Sequence, residues 1–270
     1  MFFCYLFPTI SCSGIVDDLF YIYKPIIKAP SYRLFMTNQR WKEAQQSQKK
    51  FWQARASMTH VNEKFWAEMI NRGLDLNYEF FTNKDVLEVG CGATGIIFFL
   101  ENTKSKIGIE PMDISDLINN NNNDWKKQFV RKGVGEQLPF ENNSFDIVIC
   151  FSVLEHTLDP AKLIQEVHRV LRDKGEFLLW FQSLRSQYKY LKHILNKVDS
   201  LRPHHFTLNE ILTVALKNNN NNNFDVRKKN VSTGLGLPLS RYLPITHKRI
   251  KNLIGTIMTN NVWLWLRKVE

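Results

Sequence analysis

Two textures of apolar residues alternate along the chain. Short apolar-rich runs at Val86 to Gly90, Lys106 to Ile109, Phe129 to Val134, Phe145 to Phe151 and Glu176 to Phe181 have the length of strands. The fourth is a buried-strand pattern with Asp146 as its only charge. Between these runs lie helical patterns. One follows Gly95 and carries Ile96, Ile97, Phe98, Phe99 and Leu100; a second spans Asp159 to Leu171 with Leu163, Ile164, Val167, Val170 and Leu171 on one face. Asp173-Lys174-Gly175 turns the chain into the fifth strand, and a further helix is expected over Leu208 to Leu216. Strands alternating with helices predict an α/β fold with a parallel sheet covered on both faces.

Upstream, Trp41, Phe51, Trp52, Val61, Phe65, Trp66, Met69 and Ile70 recur at helical intervals. They predict a helical cap over residues 36–82, packed on the core and helping to shape a substrate pocket. The apolar stretch Phe2 to Val16 has no basic residue before it, and Asp17 and Asp18 close it at about half the length a membrane helix needs. Residues 1–35 are therefore set apart as an N-terminal extension, with Met36 a candidate start and no stable membrane insertion expected. Asparagine runs at Asn119 to Asn123 and Asn218 to Asn223 bury nothing and are expected in surface loops.

Composition narrows the field modestly. The chain has 270 residues, 44% hydrophobic and 23% charged, which is ordinary globular usage. Its formal charge of +10 invites a nucleic-acid reading. The basic residues, however, are scattered in small groups such as Arg227, Lys228 and Lys229, without the interleaved aromatics of a stacking platform. A solvated basic surface is the preferred reading, and an acidic or phosphorylated small substrate is compatible with it. Cys4, Cys12, Cys91 and Cys150 show no metal-type spacing and no disulfide framework, so no metal is expected and a reducing cytoplasm is the natural setting.

The chemistry concentrates in Asp-Val-Leu-Glu-Val-Gly-Cys-Gly-Ala-Thr-Gly, residues 85–95, where a short apolar strand enters a glycine-rich turn. Gly90, Gly92 and Gly95 alone satisfy a dinucleotide fingerprint, in which bare backbone approaches a pyrophosphate at a helix N-terminus. Glu88, two residues before the first glycine, argues otherwise. A carboxylate at the mouth of such a pocket repels a diphosphate and attracts a cationic amino group and a sulfonium, which is the chemistry of S-adenosylmethionine.

Three motifs stand in order: Glu88-Val89-Gly90-Cys91-Gly92; Glu136-Gln137-Leu138-Pro139-Phe140 followed by Ser144-Phe145-Asp146; and Val153-Leu154-Glu155-His156 leading to Arg169-Val170-Leu171. With them, residues 85–181 resemble the class I S-adenosylmethionine-dependent methyltransferases, in particular the group that contains the ubiquinone/menaquinone methyltransferases. The resemblance implies a Rossmann-like three-layer α/β/α sandwich on a seven-stranded, mostly parallel sheet whose last strand is antiparallel. It further implies a core over residues 83–183, substrate-side or lid helices over 184–223, and final strands from 224–270. On this resemblance the cofactor's methionine portion lies against Gly90, Cys91, Gly92 and Gly95, with Glu88 drawing its amino group. Glu110, followed by Pro111, accepts the ribose hydroxyls; Gly135 and Glu136 line the adenine; Phe151 and Ser152 pass beneath the methionine tail. The family often has an aspartate where this chain has Val134, so backbone groups or Glu136 are expected to replace it.

A base is needed only where the acceptor stays protonated at neutral pH. The candidates are His156, His204 and His205, whose intrinsic pKa suits the role; the alternative for each is a backbone hydrogen bond or a cap. The segment Phe151-Ser152-Val153-Leu154 lacks the Asn/Asp-Pro-Pro-aromatic pattern of amino-group methyltransferases acting on bases or protein glutamine. The expected partner is therefore a small-molecule acceptor methylated at a hydroxyl or carbon, with nucleic acid disfavoured and no oligomeric state indicated. Tyr242, Trp263 and Trp265 either line an apolar pocket or pack the last strand. A nicotinamide-dependent oxidoreductase and a non-catalytic relative are the competing readings.

Overall fold

The computed structural model describes residues 38–53, 61–114, 124–199, 202, 204–216, 223–233 and 257–269. The expectations for the N-terminal extension, Met36, the first asparagine run, Tyr242 and all of the second run but Asn223 lie outside those residues.

Among the described residues one sheet organises the chain, with strand order β3-β2-β1-β4-β5-β8-β7. Its members are β1 (Asp85–Val89), β2 (Ser105–Glu110), β3 (Val130–Lys132), β4 (Phe145–Phe151), β5 (Leu171–Leu184), β7 (Phe224–Thr233) and β8 (Thr259–Lys268). A two-residue strand, β6 (Phe206–Thr207), pairs off this path with β5 and raises the total from the expected seven to eight. The first five strands pair in parallel, β8 runs antiparallel to β5, and β7 runs antiparallel to β8. The sheet is thus mostly parallel, with the chain's last strand as the reversed one.

Side chains alternate across the sheet with period two, and both faces are buried. Leu87, Val89, Val148 and Cys150 join one cluster with Leu163, Ile164, Val167 and Val170 of α3 (Pro160–Val170) and Ile211 and Ala215 of α5 (Leu208–Leu216). Val86, Ile147, Ile149 and Phe151 face the other way, against Trp66, Ile70 and Leu74 of α2 (Glu63–Leu74) and the buried Phe81 and Ile96 to Phe98. Two covered faces make the three-layer sandwich. α3 begins where Asp159 caps the amides of Ala161 and Lys162 and proline occupies the first turn, the position where a missing N–H does no harm. α1 (Asn38–Gln53) and the short α4 (Lys192–Val198) complete the helices.

Two expectations are corrected. The helix after Gly95 is only a 3-10 turn, Ile96–Phe98. Asn102 has a φ of 55°, and β2 already starts at Ser105, so the chain has no length for a full helix. The fifth strand extends beyond Glu176 to Phe181 because Leu171 already pairs with Phe145; the Asp173-Lys174-Gly175 turn interrupts that ladder, Lys174 at a φ of 62°, before Glu176 pairs with Ile147.

At the amino ends of β1 and β4, acids are paired. Asp85 receives Lys104 Nζ at 3.0 Å, Ser105 Oγ at 2.7 Å and Arg172 at 2.9 Å, while Arg172 also reaches Asp146 at 2.8 Å. Burial works to raise the Asp85 pKa, but these hydrogen bonds outweigh it and hold the carboxyl below its ordinary value.

Candidate active site

In an open α/β sheet, ligands enter the crevice at the carboxyl ends of strands where the order reverses, here between β1 and β4. A cavity of about 440 Å³ opens there. Glu88, Gly90, Cys91, Gly92, Gly95, Glu110, Pro111, Gly135, Glu136, Phe151, Ser152 and His156 all line it, so residues scattered over 69 positions of sequence, from 88 to 156, meet in one place.

The glycine loop is shaped by backbone need. Gly90 and Gly92 have φ of 73° and 52°, where side chains are strained. A Cβ on Gly90 would come within 2.4 Å of Val153 Cγ2, whereas one on Gly92 would meet nothing within 4 Å and would project into open space. The loop is pinned by Gly90 N donating to Ile109 O at 2.7 Å, Trp66 Nε1 to Thr94 O at 2.8 Å and Lys126 Nζ to Ala93 O at 3.1 Å. Cys91 is buried, and its Sγ lies where a side chain on Gly108 would stand, 2.5 Å from the Cβ position. Burial, reinforced by the charges of Glu88 and Glu110, holds its thiol well above the usual range, so it is a packing group.

Three acids lie in the cavity wall. Glu88 accepts from the amides of Ile96 at 3.3 Å and Ile97 at 2.8 Å. Burial pushes its pKa up to about 7, the two amides opposing and the charge of Glu110 adding to the rise. Glu110 ends β2, with one oxygen accepting from Gly92 N at 3.0 Å and the other from Met112 N at 3.1 Å; burial raises its pKa against those two bonds. Glu136 accepts from Leu158 N at 2.5 Å and Asp159 N at 3.2 Å, and the preceding Gly135 is forced by packing, since a Cβ would lie 2.5 Å from Leu163 Cδ1. None of these acids forms an ion pair with a lysine, arginine or histidine among the described residues.

Phe151 stacks on Trp66, with ring centroids 5.7 Å apart and 24° between planes, and meets Trp180 and Trp263 edge-on. Ser152 takes a φ of 57°, donating its N–H to Trp180 O at 2.7 Å and its hydroxyl to Glu155 at 3.2 Å. Trp263 is buried against Trp180 and Phe151 and Trp265 donates to Glu176 at 2.7 Å, so both pack the last strand and neither lines the cavity.

His204 and His205, expected as bases, do not line the cavity. His204 is buried beside Phe206, ring centroids 6.0 Å apart, and burial pushes its pKa down to about 4 against hydrogen bonds to the backbone of Thr157 and Leu158. His205 is held by Asn196, whose Oδ1 lies 3.0 Å from Nδ1 and accepts from the His205 N–H at 2.9 Å. The apolar Phe206 drives this segment inward as β6 and carries the pair into the interior.

The cavity also has walls that the motifs do not name. Trp41, Gln45 and Gln48 of α1, Phe65 and Trp66 of α2, Trp180 and Gln182 of β5, and Arg202 line it. The helical spacing of aromatics before residue 76 marks the first group. Arg202 stands two residues before the histidine pair, in the segment whose imidazoles drew the reading.

Residues 87–179 match a family described as a methyltransferase domain. The chain is 33% identical over 127 residues to the tRNA U34 carboxymethyltransferase of Nautilia profundicola, covering 44% of this chain and 42% of that one. It is 28% identical over 120 residues to the ubiquinone biosynthesis O-methyltransferase of Histophilus somni, covering 40% and 48%. The chain spans less than half the length of these curated relatives. In fold it is similar to geranyl diphosphate C-methyltransferase of Streptomyces coelicolor, solved with S-adenosyl-L-homocysteine, at a TM-score of 0.56 and 15% identity, over 71% of this chain and 76% of that one. No described helix is long and apolar enough to cross a membrane. Residues 87–179 therefore carry a methyltransferase domain, similar in sequence and in fold to S-adenosylmethionine-dependent methyltransferases.

Proposed function

We propose that the protein transfers a methyl group from S-adenosylmethionine to a small molecule, at a hydroxyl or carbon atom. The observation that carries this reading is the set of Glu88, Glu110 and Glu136 in one cavity wall, with no cation of the described chain paired to them. Buried acids left in this state favour a ligand that brings its own positive charge. A nicotinamide dinucleotide would set its diphosphate against them, which argues against the oxidoreductase reading. The methyl donor supplies an already activated methyl on a cationic sulfur.

The chain's residues then bind, orient and exclude water. Gly90, Cys91, Gly92 and Gly95 leave room for the methionine portion, with Glu88 near its amino group. Glu110 has both oxygens fixed by amides and retains acceptor capacity for the ribose hydroxyls. Pro111 closes the same side, Gly135 and Glu136 border the adenine, and Phe151 and Ser152 form the floor under the methionine tail. Trp66 and Phe151 shield the transfer from water. His156 is the base in this scheme where the acceptor needs one. The cap at 36–82 and the segment 184–223 supply the acceptor side of the cavity through Trp41, Trp66 and Arg202.

The test is a transfer assay with methyl-labelled S-adenosylmethionine and a panel of small hydroxyl-bearing acceptors, with transfer RNA in a parallel arm. Label in a small molecule is expected. Label in transfer RNA alone, or binding without transfer to any arm, would overturn the acceptor class.

A further inference from the structure

The cavity carries a second charge pattern on its β5 side, which β4 separates from β1 and its Glu88. Arg202 and Gln182 line it together, and the guanidinium of Arg202 donates to Gln182 Oε1. Among the described residues that neutral carbonyl is the only side-chain partner of Arg202, and no carboxylate pairs with the cation. Asp199, the acid close in sequence, accepts instead from the Arg202 backbone N–H at 3.2 Å and stands 3.6 Å from His205 Nε2. With Oε1 of Gln182 directed at Arg202, its amide NH2 remains as a donor beside the guanidinium. The pair therefore presents N–H groups and a positive charge to the cavity, with no carboxylate of the described residues paired to them. Gln182 follows Trp180 by two positions on β5, so the two share a face of the strand, and Trp180 lies flat on Trp263 at 4.9 Å and 3°. An aromatic wall beside a guanidinium that no carboxylate of the described residues neutralises is a recognition surface for an apolar or planar body bearing an anionic group.

We infer that Arg202 and Gln182 form an anion-binding subsite at the acceptor end of the cavity, and that the methyl acceptor carries a carboxylate or a phosphate. The inference rests on the methyltransferase reading, which it deepens by naming the acceptor's chemical class. It also explains how one cavity holds two ligands in order: a cationic donor at the acids of β1 and β2, an anionic acceptor at β5. Opposite charges at the two ends keep either ligand from settling in the other's place.

The experiment measures binding of three probes to the full chain by calorimetry, with and without saturating S-adenosylhomocysteine: 4-hydroxybenzoate, phenyl phosphate and the neutral 4-hydroxybenzamide. At least one anionic probe is expected to bind about tenfold or more tightly than the amide, and the stronger of the two assigns carboxylate or phosphate. Arg202→Gln should abolish that preference, Arg202→Lys should keep part of it, and Gln182→Glu should abolish it by placing an acid against the guanidinium. All three variants should bind S-adenosylhomocysteine within about twofold of the parent, a change too small to mark a lost contact. Equal binding of anionic and neutral probes, no binding of either anion to the cofactor-loaded protein, or a preference that survives Arg202→Gln would overturn the subsite. Loss of S-adenosylhomocysteine binding with the anion preference intact would instead remove the cofactor reading and leave the subsite standing.

Discussion

Acids stand at both ends of the central strands of the sheet, and they have opposite fates. At the amino ends Asp85 is 7% exposed and enclosed by Lys104, Ser105 and Arg172; its carboxyl is held below the ordinary range. At the carboxyl ends Glu88 and Glu110 are 2% and 4% exposed, receive only backbone amides, and are driven upward by burial. All three are little exposed, but the two glutamates lie deeper, and among the described residues only Asp85 is given a counter-charge. Where one is supplied, the acid is structural. Where the described residues supply none, the acids are left for the positive charge of the methyl donor proposed above.

The largest test of this contrast is Glu110→Ala. If Glu110 accepts both ribose hydroxyls as proposed, its removal should weaken S-adenosylhomocysteine by about a hundredfold or more, each charge-assisted hydrogen bond contributing about 1.5–3 kcal/mol; titration calorimetry reads it. The lower set should respond the other way. Arg172→Ala leaves Asp85 and Asp146 short of a cation and should cost about 1–2 kcal/mol in urea unfolding, reduced from a fully buried pair because Arg172 is 37% exposed. Its cofactor affinity should not change. An Arg172→Ala protein that folds normally but loses the cofactor would erase the distinction.

Glu88→Gln sharpens the comparison by separating stability from binding. The folded pKa of Glu88 is raised from 4.5 to about 7, so its protonated form favours the folded state below about pH 4.5 and that stability is lost as pH rises through 7. Between pH 5 and pH 8 the stability difference should shift in favour of Glu88→Gln by about 2–3 kcal/mol, at 1.36 kcal/mol per unit of pKa difference. Its affinity for S-adenosylhomocysteine at pH 8 should nevertheless fall about tenfold, equal to about 1.4 kcal/mol. The smallest effect is expected at His204. Because it is buried away from the cavity, His204→Asn should lower the melting temperature and leave cofactor affinity within about twofold, the range of an uninvolved site.

What the sequence discloses follows the range of the interactions. Phe145 to Phe151 and Leu208 to Leu216 match β4 and α5 residue for residue, because a short apolar run and a helical stripe each report their own burial. The glycine loop and Glu110 are legible because local spacing places them at the ends of β1 and β2, and Glu136 through the motif that follows β3. The expected helix after Gly95 fails because four of its five apolar residues, Ile96, Ile97, Phe98 and Leu100, are buried around a single turn, and apolarity alone does not distinguish turn from helix. Tertiary contacts decided the rest. The histidine pair follows Phe206 into the interior, while Arg202 meets Gln182 across 20 positions, and no local pattern encodes that encounter.

The most direct measurement is calorimetry of S-adenosylhomocysteine and of NAD against the full chain at pH 6 and pH 8, in two buffers of different ionisation enthalpy. The cationic amino group should bind the ionised form of Glu88, so affinity should rise about tenfold from pH 6 to pH 8 and protons should be released at pH 6. NAD should bind weakly or not at all. Tight NAD binding, or S-adenosylhomocysteine binding that is independent of pH and releases no proton, would contradict the account.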